Sequence, residues 1–319
     1  MTGAATYGEG ESRAATQALF ARVPRTPERI FVPLTELALD DRHTAPGFYC
    51  VHALSGAGGL DFVDLARRLP SARVFGVQAP PNRMQDAAFG CSVEAIAAFY
   101  ADALMQYQPA GPLLLGGWSA GAVIALEMAQ RLTALHGREV RLLVAMDGAP
   151  EGQRGILPPW HPRYVFELAA NLPRWIIHEG LFRRDYARTA VRQMAVKGVA
   201  KARATAARIS GAGAGRMHAV DGFMDLSPYA PMQQAFMRRL YDALLRYRPV
   251  PYDGRVVVYE SSVGPLHYLP QVGRVWRRVA AATEHVRIAG TTHMNIVRAP
   301  YVDALADDLR PRIAQAAAG

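Results

Sequence analysis

Gly117-Trp118-Ser119-Ala120-Gly121 constrains this chain more than any other stretch. The apolar run Leu113-Leu114-Leu115-Gly116 precedes it, and Val123-Ile124-Ala125-Leu126-Glu127-Met128-Ala129 follows with a helical pattern. Together they read as strand, tight turn and helix, with a serine at the apex. A sharp strand-to-helix turn needs small residues on either side of its apex, because side chains there collide with neighbouring backbone. The turn lifts the hydroxyl out of the sheet, to a helix N-terminus whose free N–H groups favour negative charge. The competing reading is a glycine-rich turn that only packs a helix onto a sheet. The strand–turn–helix context favours a nucleophile at Ser119.

From about Ile30 the chain alternates short apolar runs with helical patterns. Strands are expected at Phe48–Val51, Val74–Val77, Leu113–Gly116, Val140–Met146, Val256–Tyr259 and Val286–Ile288. Helices are expected at Asp61–Leu69, Val93–Tyr107, Ala120–Leu135, Gln233–Tyr247 and Tyr301–Ala316. This alternation implies an α/β fold, a mostly parallel central sheet with helices on both faces. At 319 residues, half of them hydrophobic, the chain suits one large domain carrying an insertion. Residues 1–28 are polar and Gly/Ala/Thr-rich, and read as a tail or linker before a domain over 29–319. The alternation breaks between about Gly152 and Leu226, which holds Pro158-Pro159, two helical stretches and a Gly/Ala-rich run but no strand. An insertion of this length between core strands is typically a lid over a site.

A serine presented in this way belongs to the α/β-hydrolase fold, where the chain order is serine, acid, histidine. A serine hydroxyl needs a base, and histidine can take and return its proton near neutral pH. His293 sits in the loop Thr291-Thr292-His293-Met294-Asn295, after the last expected strand and Gly290, and is the expected base. His267, beside Pro265, is its nearest rival. His52 follows the first expected strand on the other side of the site. The acid must orient the imidazole and stabilise its cation. Asp147 directly follows one strand and Glu260 ends the next, and position alone leaves both open, with Asp147 favoured. An oxyanion hole would use the backbone N–H of Ala120 and a second donor from the loop His52-Ala53-Leu54-Ser55-Gly56-Ala57-Gly58-Gly59.

The chain resembles the thioesterase domains that end nonribosomal peptide synthetases and polyketide synthases. The segments that carry the likeness run from about Val32 to Leu309. They are Val74-Phe75-Gly76-Val77-Gln78-Ala79-Pro80, Leu115-Gly116-Gly117-Trp118-Ser119-Ala120-Gly121, Leu157-Pro158-Pro159-Trp160, Asn171-Leu172-Pro173, Tyr247-Arg248-Pro249 and Tyr252-Asp253-Gly254. The resemblance implies that Asp147 is the acid, since in that family it follows the strand directly after the nucleophile's helix. Where the family's first loop often reads His-Pro-Ala-Gly-Gly, this chain has His52-Ala53-Leu54-Ser55-Gly56, with one extra residue. Counting back from Leu65-Ala66-Arg67-Arg68-Leu69 puts the second oxyanion donor at Ser55, and counting forward from His52 puts it at Leu54; Ser55 is preferred. The family also often has a second glycine where this chain has Ala122.

The resemblance further implies a thioesterase that takes an acyl or peptidyl chain from a carrier-protein phosphopantetheine thioester through an acyl-serine. Release would be hydrolysis or macrocyclisation, with a large lid favouring intramolecular capture. The expected partners are an acyl or peptidyl carrier protein and a small acyl substrate, and no cofactor of the chain's own. The chain would be either a discrete enzyme or a domain of a larger synthase. An editing thioesterase is usually shorter with a smaller lid, a generic esterase would not need the dispersed segments, and a non-catalytic binding module would not need the serine, acid and histidine. Net charge is +9, and residues 154–216 alone hold twelve Lys or Arg against three acids. That interval is either a solvated helix face or a surface for an acidic partner. No motif supports nucleic-acid binding. No apolar run is long enough to span a bilayer, and Met1 to Arg13 lacks an apolar signal core, so a cytoplasmic location is expected. Cys50 and Cys91 make neither a disulfide framework nor a zinc site.

Overall fold

The computed structural model describes residues 30–40, 45–150, 219–222, 224, 226–263 and 272–318, with isolated helical positions at 162, 166, 169, 170 and 173. The expected tail over 1–28, nearly all of the expected insertion over 152–226, and His267 lie outside the described residues.

Seven strands form one sheet: β1 (Phe31–Pro33), β2 (Gly47–Val51), β3 (Arg73–Val77), β4 (Leu113–Trp118), β5 (Val140–Met146), β6 (Tyr252–Val263) and β7 (Ala280–Thr292). Their order is β1-β3-β2-β4-β5-β6-β7. Only β1 runs antiparallel, against β3. All other pairs are parallel. After β2 the chain goes outward to β3 and then returns to the other side of β2 as β4. The carboxyl ends of β2 and β4 therefore meet at the point where the strand order reverses, and such crevices collect ligands in open α/β sheets.

Strands β2 and β4 are buried along their whole length, because helices cover both faces of the sheet. Their side chains divide by parity. Leu113 and Leu115 pack on one face with Leu143 and Ala145, against helices α1 (Val93–Tyr107), α2 (Ala120–His136), α3 (Pro231–Arg246) and α4 (Val272–Val279). Leu114 packs on the other face with Leu142, Val144 and Met146, against Phe62–Leu69 and α5 (Asp303–Ala318). Local chemistry sets the helix ends. Ser92 caps α1 by accepting from the Ala95 N–H at 3.0 Å, and α2 stops at Gly137, which takes the left-handed conformation that glycine tolerates.

Several elements differ from the sequence expectation. β6 and β7 run well beyond the expected Val256–Tyr259 and Val286–Ile288, so that Gly290, Thr291 and Thr292 belong to β7 rather than to the loop after it. Short helices at Glu36–Leu39 and Pro81–Gln85 are additional. β1 was not expected: three residues ending in Pro33 carry no periodicity, and proline suits an edge strand. The helix expected over Asp61–Leu69 is divided at Phe62, with short helical segments at Gly58–Asp61 and Val63–Arg67. Helix α4 was also not expected, although buried Val272, Trp276 and Val279 lie at helical spacing. At eight residues it holds through tertiary burial of that face rather than through propensity.

Candidate active site

Ser119 sits between β4 and α2 with φ 56° and ψ −118°, a conformation that a residue with a side chain rarely adopts. Such strain costs about 1–3 kcal/mol and persists only where the surroundings enforce it. Here the enforcement is close backbone packing. A Cβ on Gly117 would lie 2.1 Å from the backbone of Gly121, and one on Gly121 would lie 2.1 Å from the Val51 carbonyl oxygen. Neither glycine can carry a side chain, which is why the spacing around Ser119 reads so clearly in the sequence. The Ser119 N–H donates to the Met146 carbonyl at 2.9 Å and ties the turn to the end of β5.

His293 follows β7 and reaches back across the sheet end. Its Nε2 lies 3.0 Å from Ser119 Oγ, and its Nδ1 lies 2.9 Å from Asp147 Oδ2. A carboxylate only accepts, so Nδ1 carries the proton and donates to Asp147, leaving Nε2 to accept the serine O–H. Asp147 is buried and, like Ser119, has a positive φ of 49°. Its other contacts come from β6: the Ser261 N–H donates to Oδ1 at 2.8 Å and the Ser261 hydroxyl to Oδ2 at 2.8 Å. The Trp276 indole donates to the carbonyl of the adjacent Gly148 at 2.7 Å. The Trp118 indole donates to the His293 carbonyl at 3.0 Å and holds the histidine loop against the serine turn.

Of the two acids expected at strand ends, Glu260 lies within β6 rather than at its end, and the structure brings Asp147, just past β5, to His293. Glu260 Oε2 instead lies 2.7 Å from His285 Nε2 and accepts from the Gly273 N–H at 3.2 Å. Successive side chains on a strand point to opposite faces, so Ser261 meets Asp147 while Glu260 faces away from it.

The loop after β2 lies beside the serine turn. His52 is fully buried, with Nδ1 2.5 Å from the Ala53 carbonyl and Nε2 2.7 Å from the Tyr100 hydroxyl. Nδ1–H donates to that carbonyl and Nε2 accepts from tyrosine, which suits a neutral ring; burial pushes its pKa down to about 4. His52 is a framework residue of this loop. Asp61 Oδ2 accepts from the Ala53 N–H at 2.9 Å. Burial raises the Asp61 carboxyl above its usual range, opposed by the Ala53 N–H and the nearby Arg298. Arg298, five residues past His293, donates to the Leu60 carbonyl at 2.7 Å and lies 3.4 Å from Asp61. It thereby joins the histidine loop to the β2 loop. Ala120 stands at the start of α2, and Leu54 and Ser55 stand at the tip of the β2 loop.

The contacts of Trp118, Ser261 and Trp276 were not read from the sequence. Trp118 lies inside the serine motif, where an indole donor could have been noticed. Ser261 and Trp276 depend on the pairing of β6 with β5 and the docking of α4, which no local pattern specifies. Among the described residues there is no cluster of His, Cys, Asp or Glu able to hold a metal ion, and no helix is long and apolar enough to cross a membrane.

A mostly parallel seven-stranded sheet, helix-covered on both faces, with a strained serine on the turn after β4, defines an α/β-hydrolase fold. Residues 47–155 match the thioesterase domain family. The NocB thioesterase domain in covalent complex with a fluorophosphonate nocardicin G analogue aligns with a TM-score of 0.53 at 23% identity, covering 86% of this chain and 96% of that one. A four-domain nonribosomal peptide synthetase aligns with a TM-score of 0.57 at 20% identity, over 88% of this chain and 20% of the synthetase. Microperfuranone synthase of Emericella nidulans is 35% identical over 109 residues, 34% of this chain and 11% of the synthase. A non-reducing polyketide synthase of Arthrinium sp is 46% identical over 77 residues, 24% of this chain and 4% of the synthase. The match thus spans only a small part of the length of these synthases. The chain resembles the thioesterase domains of polyketide synthases and nonribosomal peptide synthetases.

Proposed function

We propose that this protein is a serine thioesterase that releases an acyl or peptidyl chain from the phosphopantetheine thioester of a carrier protein. The observation that carries this reading is the hydrogen-bonded chain from Ser119 through His293 to Asp147 at the carboxyl ends of the strands. The likeness to synthase thioesterase domains supports the choice of substrate class.

His293 Nε2 takes the Ser119 proton as Oγ attacks the thioester carbonyl, and Asp147 stabilises the imidazolium that results. The negative oxygen that develops is held by the Ala120 N–H, at the positive end of α2, and by a second N–H of the β2 loop, Ser55 in preference to Leu54. His293 then returns its proton to the leaving thiol, and an acyl-serine remains. In the second half-reaction His293 deprotonates either water, giving the free acid, or a hydroxyl or amine of the bound chain, giving a ring. The same three side chains serve both outcomes. The choice belongs to what lies over the acyl group, a role we assign to the insertion over 152–226 as a lid.

The test uses N-acetylcysteamine acyl thioesters and intact-protein mass spectrometry. Wild type gains the acyl mass on the peptide containing Trp118-Ser119 and releases thiol; Ser119→Ala does neither. Thiol release by Ser119→Ala at the wild-type rate would overturn the reading. A long thioester with a terminal nucleophile separates the two outcomes, since a cyclic product is lighter than the acid by one water.

A further inference from the structure

The loop after β2 must hold its free amides still if they are to stabilise a developing oxyanion, and its hydrogen bonds identify what holds it. The His52 N–H donates to Val77 at 3.1 Å, the Gly56 N–H to Ala53 at 3.2 Å, and the Ala79 N–H to the Gly56 carbonyl at 2.9 Å. The Ala53 N–H is taken by Asp61 and the Ala57 N–H by Ser55 Oγ. The Gly58 and Gly59 N–H groups begin the short helical segment that follows. Within residues 53–57 this leaves the N–H groups of Leu54 and Ser55, the two candidate oxyanion donors. The carbonyls on either side of that pair are both fixed. Ala53 O is held within the loop, by His52 and Gly56. Ser55 O is held from a distant part of the chain: Gln233 Nε2 donates to it at 2.7 Å.

Gln233 lies in the first turn of α3, just beyond the expected end of the insertion. A second set of contacts joins the same segment to the same loop. Leu54 packs against the cluster of Val220, Leu226 and Met237, and the Phe236 ring lies edge-on to His52 at 6.0 Å. Gln234 Nε2 donates to the Tyr229 carbonyl at 2.8 Å and fixes the approach to the helix.

We propose that Gln233 is a positioning residue for the oxyanion loop: its amide clamps the Ser55 carbonyl so that the neighbouring N–H groups point at the site of negative charge. The inference rests on the acyl-serine reading above. Oxyanion donors act by preorganisation, and their effect appears in the transition state more than in substrate binding. Loss of the clamp therefore lowers kcat and leaves KM nearly unchanged.

The experiment compares wild type, Gln233→Leu and Gln233→Glu by steady-state kinetics on an acyl-thioester mimic, by the rate of Ser119 phosphonylation with a fluorophosphonate, and by thermal unfolding. Leu removes the donor at similar length; an ionised Glu keeps the shape but sets an acceptor against a carbonyl. Both kcat and the phosphonylation rate should fall roughly 10- to 100-fold, with KM within about two-fold and wild-type melting in at least the Glu variant. Gln234→Ala, which leaves the Ser55 contact in place, should not reproduce the loss. Wild-type kcat in Gln233→Leu, or a loss that tracks melting temperature and appears in KM, would overturn the inference. A wild type that does not react at Ser119 would overturn the acyl-serine reading and this inference with it; a reacting wild type with equally reactive variants would overturn this inference alone.

Discussion

The Ser261 hydroxyl donates to Asp147 Oδ2 at 2.8 Å, the same oxygen that accepts from His293 Nδ1. Asp147 is thus held between the histidine it faces and a strand that pairs alongside its own, and its carboxylate is aimed before any substrate arrives. Ser261→Ala removes one hydrogen bond to a charged group, worth roughly 1.5–3 kcal/mol. We expect turnover to fall about ten-fold or more, with Ser261→Thr closer to wild type. Full activity in the alanine variant, measured as kcat on an acyl thioester, would remove Ser261 from the site.

Asp147→Asn should lower turnover by about 10⁴, as loss of the corresponding charge does in a serine protease, because the amide favours the wrong imidazole tautomer. Glu260→Gln should change turnover little, since Glu260 contacts His285 and Gly273 rather than His293. Steady-state kinetics on both variants decide between the acids, and the opposite ranking would exclude Asp147.

His52 makes stability depend on pH. Its folded pKa is pushed down to about 4 from 6.5 by burial. Between those values the unfolded chain binds more protons than the folded one, so unfolding free energy rises with pH. The contribution is fully present above about pH 6.5 and is lost as pH falls through 4, amounting to roughly 3 kcal/mol across the window. Denaturant titrations of wild type and His52→Asn at a series of pH values should show a steeper slope in wild type. Parallel curves would mean that His52 is not held neutral.

Residues 154–216 hold twelve Lys or Arg against three acids. If this segment draws an acidic carrier protein to the site, salt should slow turnover of a carrier-bound chain more than turnover of a small thioester mimic, because screening weakens attraction between exposed charges. Rate measurements at rising ionic strength test this, and equal salt dependence would leave the charge as a solvated surface.

What the sequence determined by itself was whatever depends on neighbours along the chain. The elbow at Ser119 is legible because Gly117 and Gly121 must be small for a strand to turn directly into a helix. The central strands are legible because parallel strands buried on both faces read as short apolar runs. His293 is legible as the residue that follows the last strand. The tertiary structure decided what depends on residues far apart in sequence. Asp147 directly follows β5 and Glu260 lies within β6, and only the register of β5 against β6, with the alternation of side chains along β6, sends Ser261 toward Asp147 and Glu260 toward His285. Gln233 reaches Ser55 across 178 residues, and Arg298 reaches Asp61 across 237. Local patterns encode the direction a side chain faces, but the partner it meets there is set by packing, in which any of several polar residues could have stood opposite.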